Sequence, residues 1–248
     1  MQARKDREQQ FHDIAFCQNT RENAGKFYSI TKSSRNFYRD FLSRNCRNQK
    51  VLEYGCGPGS FSFHLAEKGA RVTGLDISPV AIGQAREQAR QRKLDGIEFL
   101  VMDAEQMDFQ DSVFDVVCGT SILHHLILDR AFSELSRVLK PGGKAIFIEP
   151  LGHNPVINLY RKITPTMRTP DEHPLLMKDL RLADHYFKHD ETRYFHLISL
   201  VGVLFRRLPF FPVALRALDA VDSFLFTCFP PARRFAWTVV LIFTNAKK

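Results

Sequence analysis

The segment VLEYGCGPGS, residues 51–60, sets Gly55, Gly57, Pro58 and Gly59 directly behind a short apolar run. An apolar run stopped by glycine reads as a buried β-strand. Glycines at that point let the chain turn sharply, or let its backbone approach a ligand with no Cβ in the way. A helix follows, SFSFHLAEKG, so free N–H groups and the positive end of its dipole face whatever sits there. A phosphate loop, a nucleoside loop and a plain tight turn all begin like this. The flanking sequence has to separate them.

Strand and helix alternate on the C-terminal side of this loop. RVTGLDIS is a second strand and SPVAIGQAREQARQRKL a second helix, with Ser78 as N-cap and Pro79 in the first turn. IEFLVMDA and FDVVCGTSIL are further strands. LDRAFSELSRVLK is an amphipathic helix with Phe132, Leu135, Val138 and Leu139 on one face. PGG turns the chain into the strand KAIFIEP, and Gly69 suits a left-handed cap on the first helix. Short connections in this order predict an α/β fold: a mostly parallel sheet with helices on both faces. Such sheets bind ligands beyond the carboxyl ends of their strands.

Outside this core the rhythm changes. Residues 1–49 read as an N-terminal helical segment, and residues 50–150 as the ligand-binding core. Residues 151–248 read as insertions followed by the final strands of the same sheet. In that tail a proline- and histidine-rich stretch precedes a helix, KDLRLADHYF, and a strand, TRYFHLISL. One or two helices over 200–232 and a last strand, FAWTVVLIFTN, complete it.

Composition narrows the class. At 248 residues, 44% hydrophobic and 25% charged, the chain is long enough for one substantial core. The formal charge of +8 resides at the two ends, with a mildly acidic middle; the basic residues are scattered, as on a soluble surface. The 5 cysteines form no CxxC pair, so reduced thiols and no metal are expected. The amino-terminal residues lack an apolar signal core, and the uncharged stretches fall short of the roughly 20 residues that span a bilayer. A cytoplasmic protein is the expectation.

Three acids decide between the loop readings. Asp76 ends the second strand, 21 residues after Gly55, where a carboxylate accepts ribose hydroxyls. Asp103 and Ala104 end the third strand, within reach of an exocyclic amine. Glu53 places a charge inside the first strand, which calls for a polar partner. No lysine follows the glycines, so the phosphate pattern GxxxxGK[ST] is absent, and Ser60 breaks GxGxxG. The set fits an adenosine better than a lone phosphate.

LEYGCGPGSFSFHLAEKGARVTGLDIS, VMDAEQMDF, FDVVCGTSILHHL and RVLKPGGKAIFIEP together resemble the successive motifs of class I S-adenosylmethionine-dependent methyltransferases, in the branch acting on small molecules. The resemblance implies a Rossmann-like seven-stranded sheet with the last strand antiparallel, and S-adenosylmethionine as cofactor, leaving as S-adenosylhomocysteine. It implies that Gly55, Cys56, Gly57 and Gly59 cradle the methionine and ribose portion, and that Glu53 polarises that region. Asp76 then holds the ribose, Ile77 packs on the adenine, and Asp103 and Ala104 edge it; Gly119 and Thr120 line the sulfonium side. Members of this branch close an N-terminal segment over the cofactor, and Tyr28 is the aromatic candidate for it.

Methyl transfer asks chiefly for alignment and exclusion of water, with a general base only where the acceptor must lose a proton. His124 and His125 after the fourth strand, His153 after the fifth and His173 in TPDEHP are the candidate bases; each also reads as packing or loop. The apolar tail, NLYRKI, LISLVGVLF, LPFFPVAL and DSFLFTCF, suits a small hydrophobic or aromatic acceptor, as in natural-product biosynthesis. It also suits core packing, self-association, or a quinone or lipid acceptor met at a membrane surface. A nucleic-acid methyltransferase fits less well, since GTSI stands where [DN]PP[YF] would. A non-catalytic cofactor-binding protein shares the fold.

Overall fold

The glycine-ended run forms β1 (Lys50–Tyr54), near the middle of a seven-stranded sheet in the computed structural model, which describes residues 2–18 and 25–245. The other strands are β2 (Arg71–Asp76), β3 (Ile97–Val101), β4 (Phe114–Thr120), β5 (Leu139–Pro150), β6 (Lys188–Phe195) and β7 (Thr238–Thr244). Their order is β3-β2-β1-β4-β5-β7-β6. The first five pair in parallel, and β7 runs antiparallel between β5 and β6. Strand order reverses between β1 and β4, which opens a crevice at their carboxyl ends.

The helices are α1 (Gln2–Gln18), α2 (Gly25–Tyr28), α3 (Lys32–Asn45), α4 (Ser62–Glu67), α5 (Pro79–Gln91), α6 (Leu128–Val138), α7 (Pro155–Ile163), α8 (Met177–Leu182), α9 (Gly202–Phe205) and α10 (Phe211–Cys228). α5 starts as its sequence requires: the Ser78 hydroxyl accepts the Ala81 N–H at 3.0 Å, with Pro79 behind it. α6 buries Phe132, Leu135 and Val138 against the core that contains Leu52, Val117, Phe147 and Leu241. The opposite face of the sheet packs Val51, Val116 and Ile146 on Tyr38 and Leu42 of α3. Burial on both faces explains why the central strands carry so few polar residues.

Gly69 takes the left-handed cap conformation, at φ +86°. The KPGG turn is absorbed into β5, because Gly142 and Gly143 exchange backbone hydrogen bonds with Asn245. β6 begins four residues earlier than its sequence suggests and stops before HLISL. The cause is Asp222 on α10. Its carboxylate accepts the N–H groups of Leu197, Ile198 and Ser199 and curls that segment into a short 3-10 turn, Ser199–Val201. α7 was not apparent from its composition, yet Asn154 caps it, accepting from Val156 and Ile157 at 3.1 and 3.0 Å. α7, α9 and α10 lie on segments that leave or enter the sheet at the carboxyl edge. Ile157, Leu200, Val203 and Leu215 pack there with Ile30 into a separate small core.

Candidate functional site

The Glu53 carboxylate is fully buried at the end of β1 and accepts from the Phe61 and Ser62 N–H groups at 2.9 and 2.7 Å, and from the Ser60 and Ser62 hydroxyls. It thereby folds residues 55–61 into a fixed loop and caps the start of α4. Burial raises its pKa, against the opposing effect of these four donors. Gly55 and Gly57 stand at φ +69° and +53°, a region that other residues enter with strain. At Gly55 an added Cβ would lie 2.7 Å from Ile122. The Gly57 N–H donates to Asp76 Oδ2 at 2.8 Å, and the Ser78 N–H to Oδ1 at 2.9 Å. The Asp76 side chain thus turns toward the glycine loop, with lone pairs to spare. The Tyr54 hydroxyl donates to the Ala104 carbonyl and fixes the end of β3 beside it.

These groups floor a cavity of about 140 Å³. Gly55, Cys56, Gly57, Asp76, Ile77, Asp103, Ala104 and Thr120 all line it. Burial raises the Cys56 thiol, keeping it neutral. Ser121 also lines the cavity, with a left-handed φ of +54° held by its N–H to the Ile148 carbonyl at 2.8 Å. The floor matches a nucleoside: a glycine turn open to close approach, two carboxylates at or just beyond adjacent strand ends, and apolar Leu75 and Ile77 between them.

Four of the anticipated positions do not line the cavity, and three of them support it from behind. Glu53 and Gly59 do not line the cavity: the first holds the loop, and the second has no room for a Cβ, which would meet Phe63 at 2.5 Å. Gly119 is likewise a packing position, where a Cβ would meet Phe147 at 2.8 Å. Tyr28 is 51% exposed and lies outside the cavity.

The covering element is α1, one helix earlier than Tyr28 suggested. Its Arg4, Lys5, Glu8, His12 and Phe16 line the cavity from above. Lys5 pairs with Asp103, and Arg4 with Glu105 and, at 2.6 Å, with the His125 carbonyl. Arg7 forks onto Asp171 with two bonds of 2.9 Å, and Asp13 accepts from the Ser78 hydroxyl. The Phe16 ring stands 3.3 Å from where a Gly57 Cβ would be. None of the α1 residues belongs to the expected set; the Glu8–His12 spacing of one helical turn was the available signal.

The nominated histidines separate. His125 lines the cavity. His124 is buried behind it, its Nδ1 2.7 Å from Glu149 Oε2. Burial, with Arg161 and His173 nearby, lowers His124 to about 3; burial raises Glu149 to about 7, so the imidazole is neutral. Burial and then His124 also lower His125. Glu149 accepts the Ile122 and Leu123 N–H groups, both at 2.9 Å, and so orients the turn that carries His125. His153 stands off the cavity, its Nε2 accepting from the Met177 N–H at 3.3 Å. His173 lines a neighbouring surface depression together with Arg4 and His125, and its N–H donates to the His124 carbonyl at 2.9 Å.

Comparison with known proteins agrees with this geometry. Residues 52–147 match the family described as a methyltransferase domain. The demethylmenaquinone methyltransferase of Chlorobaculum tepidum is 37% identical over 125 residues, which are 47% of this chain and 50% of that protein. The aklanonic acid methyltransferase of Streptomyces sp. is 37% identical over 116 residues, 44% of this chain and 52% of the relative. The chain thus spans about half the length of the curated relatives it matches. In fold it is similar to geranyl diphosphate C-methyltransferase from Streptomyces coelicolor, with a TM-score of 0.62 at 18% identity over 85% of this chain and 79% of that one. A SAM-dependent methyltransferase from Methanosarcina mazei gives a TM-score of 0.58 at 25% identity, covering 84% of this chain and 98% of that one. Strand order, glycine loop and family match coincide on the same residues: 52–147 carry the match to the methyltransferase-domain family, on the seven-stranded, Rossmann-like sheet of the methyltransferase fold.

Proposed function

We propose that the chain transfers a methyl group from S-adenosylmethionine to a small hydrophobic or aromatic molecule. The observation that carries this reading is the pair of carboxylates, Asp76 and Asp103, facing one cavity over the Gly55–Gly57 loop. When bound, the cofactor supplies a methyl group already activated on a sulfonium. Asp76 would receive the ribose hydroxyls, Asp103 and Ala104 the adenine edge, and Ile77 its face. The Gly55–Gly57 turn, which carries no side chain at either glycine, would lie against the methionine and ribose portion, and Thr120 against the sulfonium. α1 covers this floor and excludes water, the largest service a protein can offer an in-line displacement. Among the four nominated histidines, His125 is our candidate to meet an acceptor, a reading supported by its position in the cavity lining.

The acceptor class draws support from the carboxyl-edge cap. Leu159 and Ile163 on α7, Leu204 on α9, and Val213 and Phe224 on α10 are exposed by 62, 69, 76, 62 and 70%. Arg207 and Arg216 stand exposed among them. An apolar surface with a basic fringe favours, as a second reading, a quinone or lipid acceptor taken from a membrane surface. No helix among the described residues is long and apolar enough to cross a membrane.

Deuteromethyl-labelled cofactor, incubated with the protein and a panel of phenolic, polyketide-like and demethylquinone acceptors, tests the proposal by mass spectrometry. Label in an apolar acceptor supports it. Cofactor binding with no label in any acceptor would point to a non-catalytic binding protein. Flotation with anionic vesicles, weakened by salt, would support the membrane reading; no flotation would remove it.

A further inference from the structure

Glu8 and His12 stand one turn apart on α1 and present their side chains on one helical face. Both line the cavity opposite His125. Glu8 Oε2 lies 3.1 Å from His125 Nδ1 and 3.6 Å from His12 Nε2, and the donor atoms of all three residues fall within 4.8 Å of one another. The two imidazoles meet edge-on, with ring centroids 5.1 Å apart. Glu8 is only 4% exposed. Even so, its Oε2 and the His125 Nδ1 both lack a well-formed hydrogen bond, although each is shut away from water. The other Glu8 oxygen is engaged by the Thr169 hydroxyl.

Two buried polar atoms facing each other without a well-formed hydrogen bond are costly. One cation between them removes that cost. Ligand atoms about 2.0–2.2 Å from a common ion stand roughly 3–3.5 Å from one another in tetrahedral or octahedral arrangement. The distance of 3.1 Å falls within that spacing and 3.6 Å lies just beyond it. Two imidazoles and one carboxylate suit a first-row transition ion; calcium and magnesium ask for oxygen ligands. The Thr169 hydroxyl is the kind of outer partner that orients a ligating carboxylate.

We propose that Glu8, His12 and His125 bind one divalent transition ion, which clips α1 to the carboxyl edge of the sheet. Three protein ligands leave positions open, and those face the cavity, where water or an acceptor oxygen completes the shell. Metal binding here stands or falls apart from methyl transfer, since it needs no cofactor.

The test is a titration of the metal-stripped full chain with Co²⁺, followed by its visible ligand-field bands. One equivalent should give bands that Zn²⁺ abolishes, and Zn²⁺ should slow amide exchange across residues 2–18. His12→Ala and Glu8→Gln should lower Co²⁺ affinity by on the order of 100-fold or more while retaining the wild-type circular dichroism. Glu172→Gln, which removes a carboxylate grouped with His124 and His125 and not with His12, should leave it unchanged. Absence of stoichiometric bands in the wild-type protein overturns the proposal. So do equal bands in a folded His12→Ala variant.

Discussion

The floor and the roof of the cavity are built by different means. The floor is backbone: glycine turns with positive φ, a loop pinned by the buried Glu53, and strand ends locked by ladder pairing. The roof, α1, is fastened by side chains, and Ala15 is its buried hydrophobic residue among those described. Lys5 on Asp103, Arg4 on Glu105 and Arg7 on Asp171 do most of the fastening. A floor of this kind is preorganised and insensitive to salt. A roof of ion pairs can lift and return, as ligand exchange in a covered site requires.

The contrast is broken most severely from below. Glu53→Ala leaves two buried N–H groups without an acceptor, each costing about 1–3 kcal/mol. We expect a loss of about 4 kcal/mol, a fall of roughly 10 °C in melting temperature for a chain of this size. Glu53→Gln, which keeps an acceptor, should lose about half as much. Calorimetric melting checks both, and a shift under 2 °C for the alanine variant would show that the loop is held by something else.

The helical cap beside the roof gives a second, smaller effect. His196 is buried between Ser34 of α3 and Ser199, with Nε2 2.9 Å from the Ser34 hydroxyl and Nδ1 3.3 Å from that of Ser199. Burial lowers its pKa from 6.5 to about 3. Between those values the unfolded chain binds a proton that the folded chain refuses. This contribution to stability is therefore intact above about pH 6.5 and declines as the pH falls toward 3. At pH 5 the loss is on the order of 2 kcal/mol. His196→Asn tolerates the local φ of +66° and should flatten the stability profile between pH 7 and 5 in chemical denaturation. An unchanged slope would assign the acid sensitivity elsewhere.

The roof itself should yield the smallest change. The Lys5–Asp103 pair is largely covered, with side-chain exposures of 16 and 27%. Lys5→Ala should still cost about 1 kcal/mol or less. Global melting would barely move, while amide exchange across residues 2–18 should quicken. High salt should do the same to the wild-type protein. Slow exchange that neither change accelerates would make α1 part of the floor's rigid unit.

The same contrast separates what the sequence disclosed from what it concealed. The floor was legible because its signals are local. A strand ended by Gly55, an acid at the end of each of the next two strands, and Ser78–Pro79 opening a helix each determine their own neighbourhood. The roof depends on pairings across about 100 residues, such as Lys5 with Asp103, that no local pattern announces. α1 also lacks an apolar stripe, which leaves the Glu8–His12 spacing as its one local signal; the aromatic Tyr28 drew the lid assignment instead, and it is exposed. His153 and His125 looked equivalent as loop histidines after strands. Only tertiary structure shows that one supports α8 and the other faces the cavity. The early end of β6 was hidden for the same reason, since Asp222 acts from α10, more than 20 residues further along the chain.

The central claim is that the carboxyl edge around Asp76 forms an adenosine-binding floor. Isothermal calorimetry with S-adenosylhomocysteine, on the folded wild-type chain and on Asp76→Ala, tests it most directly. The account predicts one site per chain, and an affinity reduced about 100-fold by the substitution, equivalent to roughly 3 kcal/mol of charge-assisted hydrogen bonding. No heat of binding to the wild-type protein, or equal affinity in both, would contradict it.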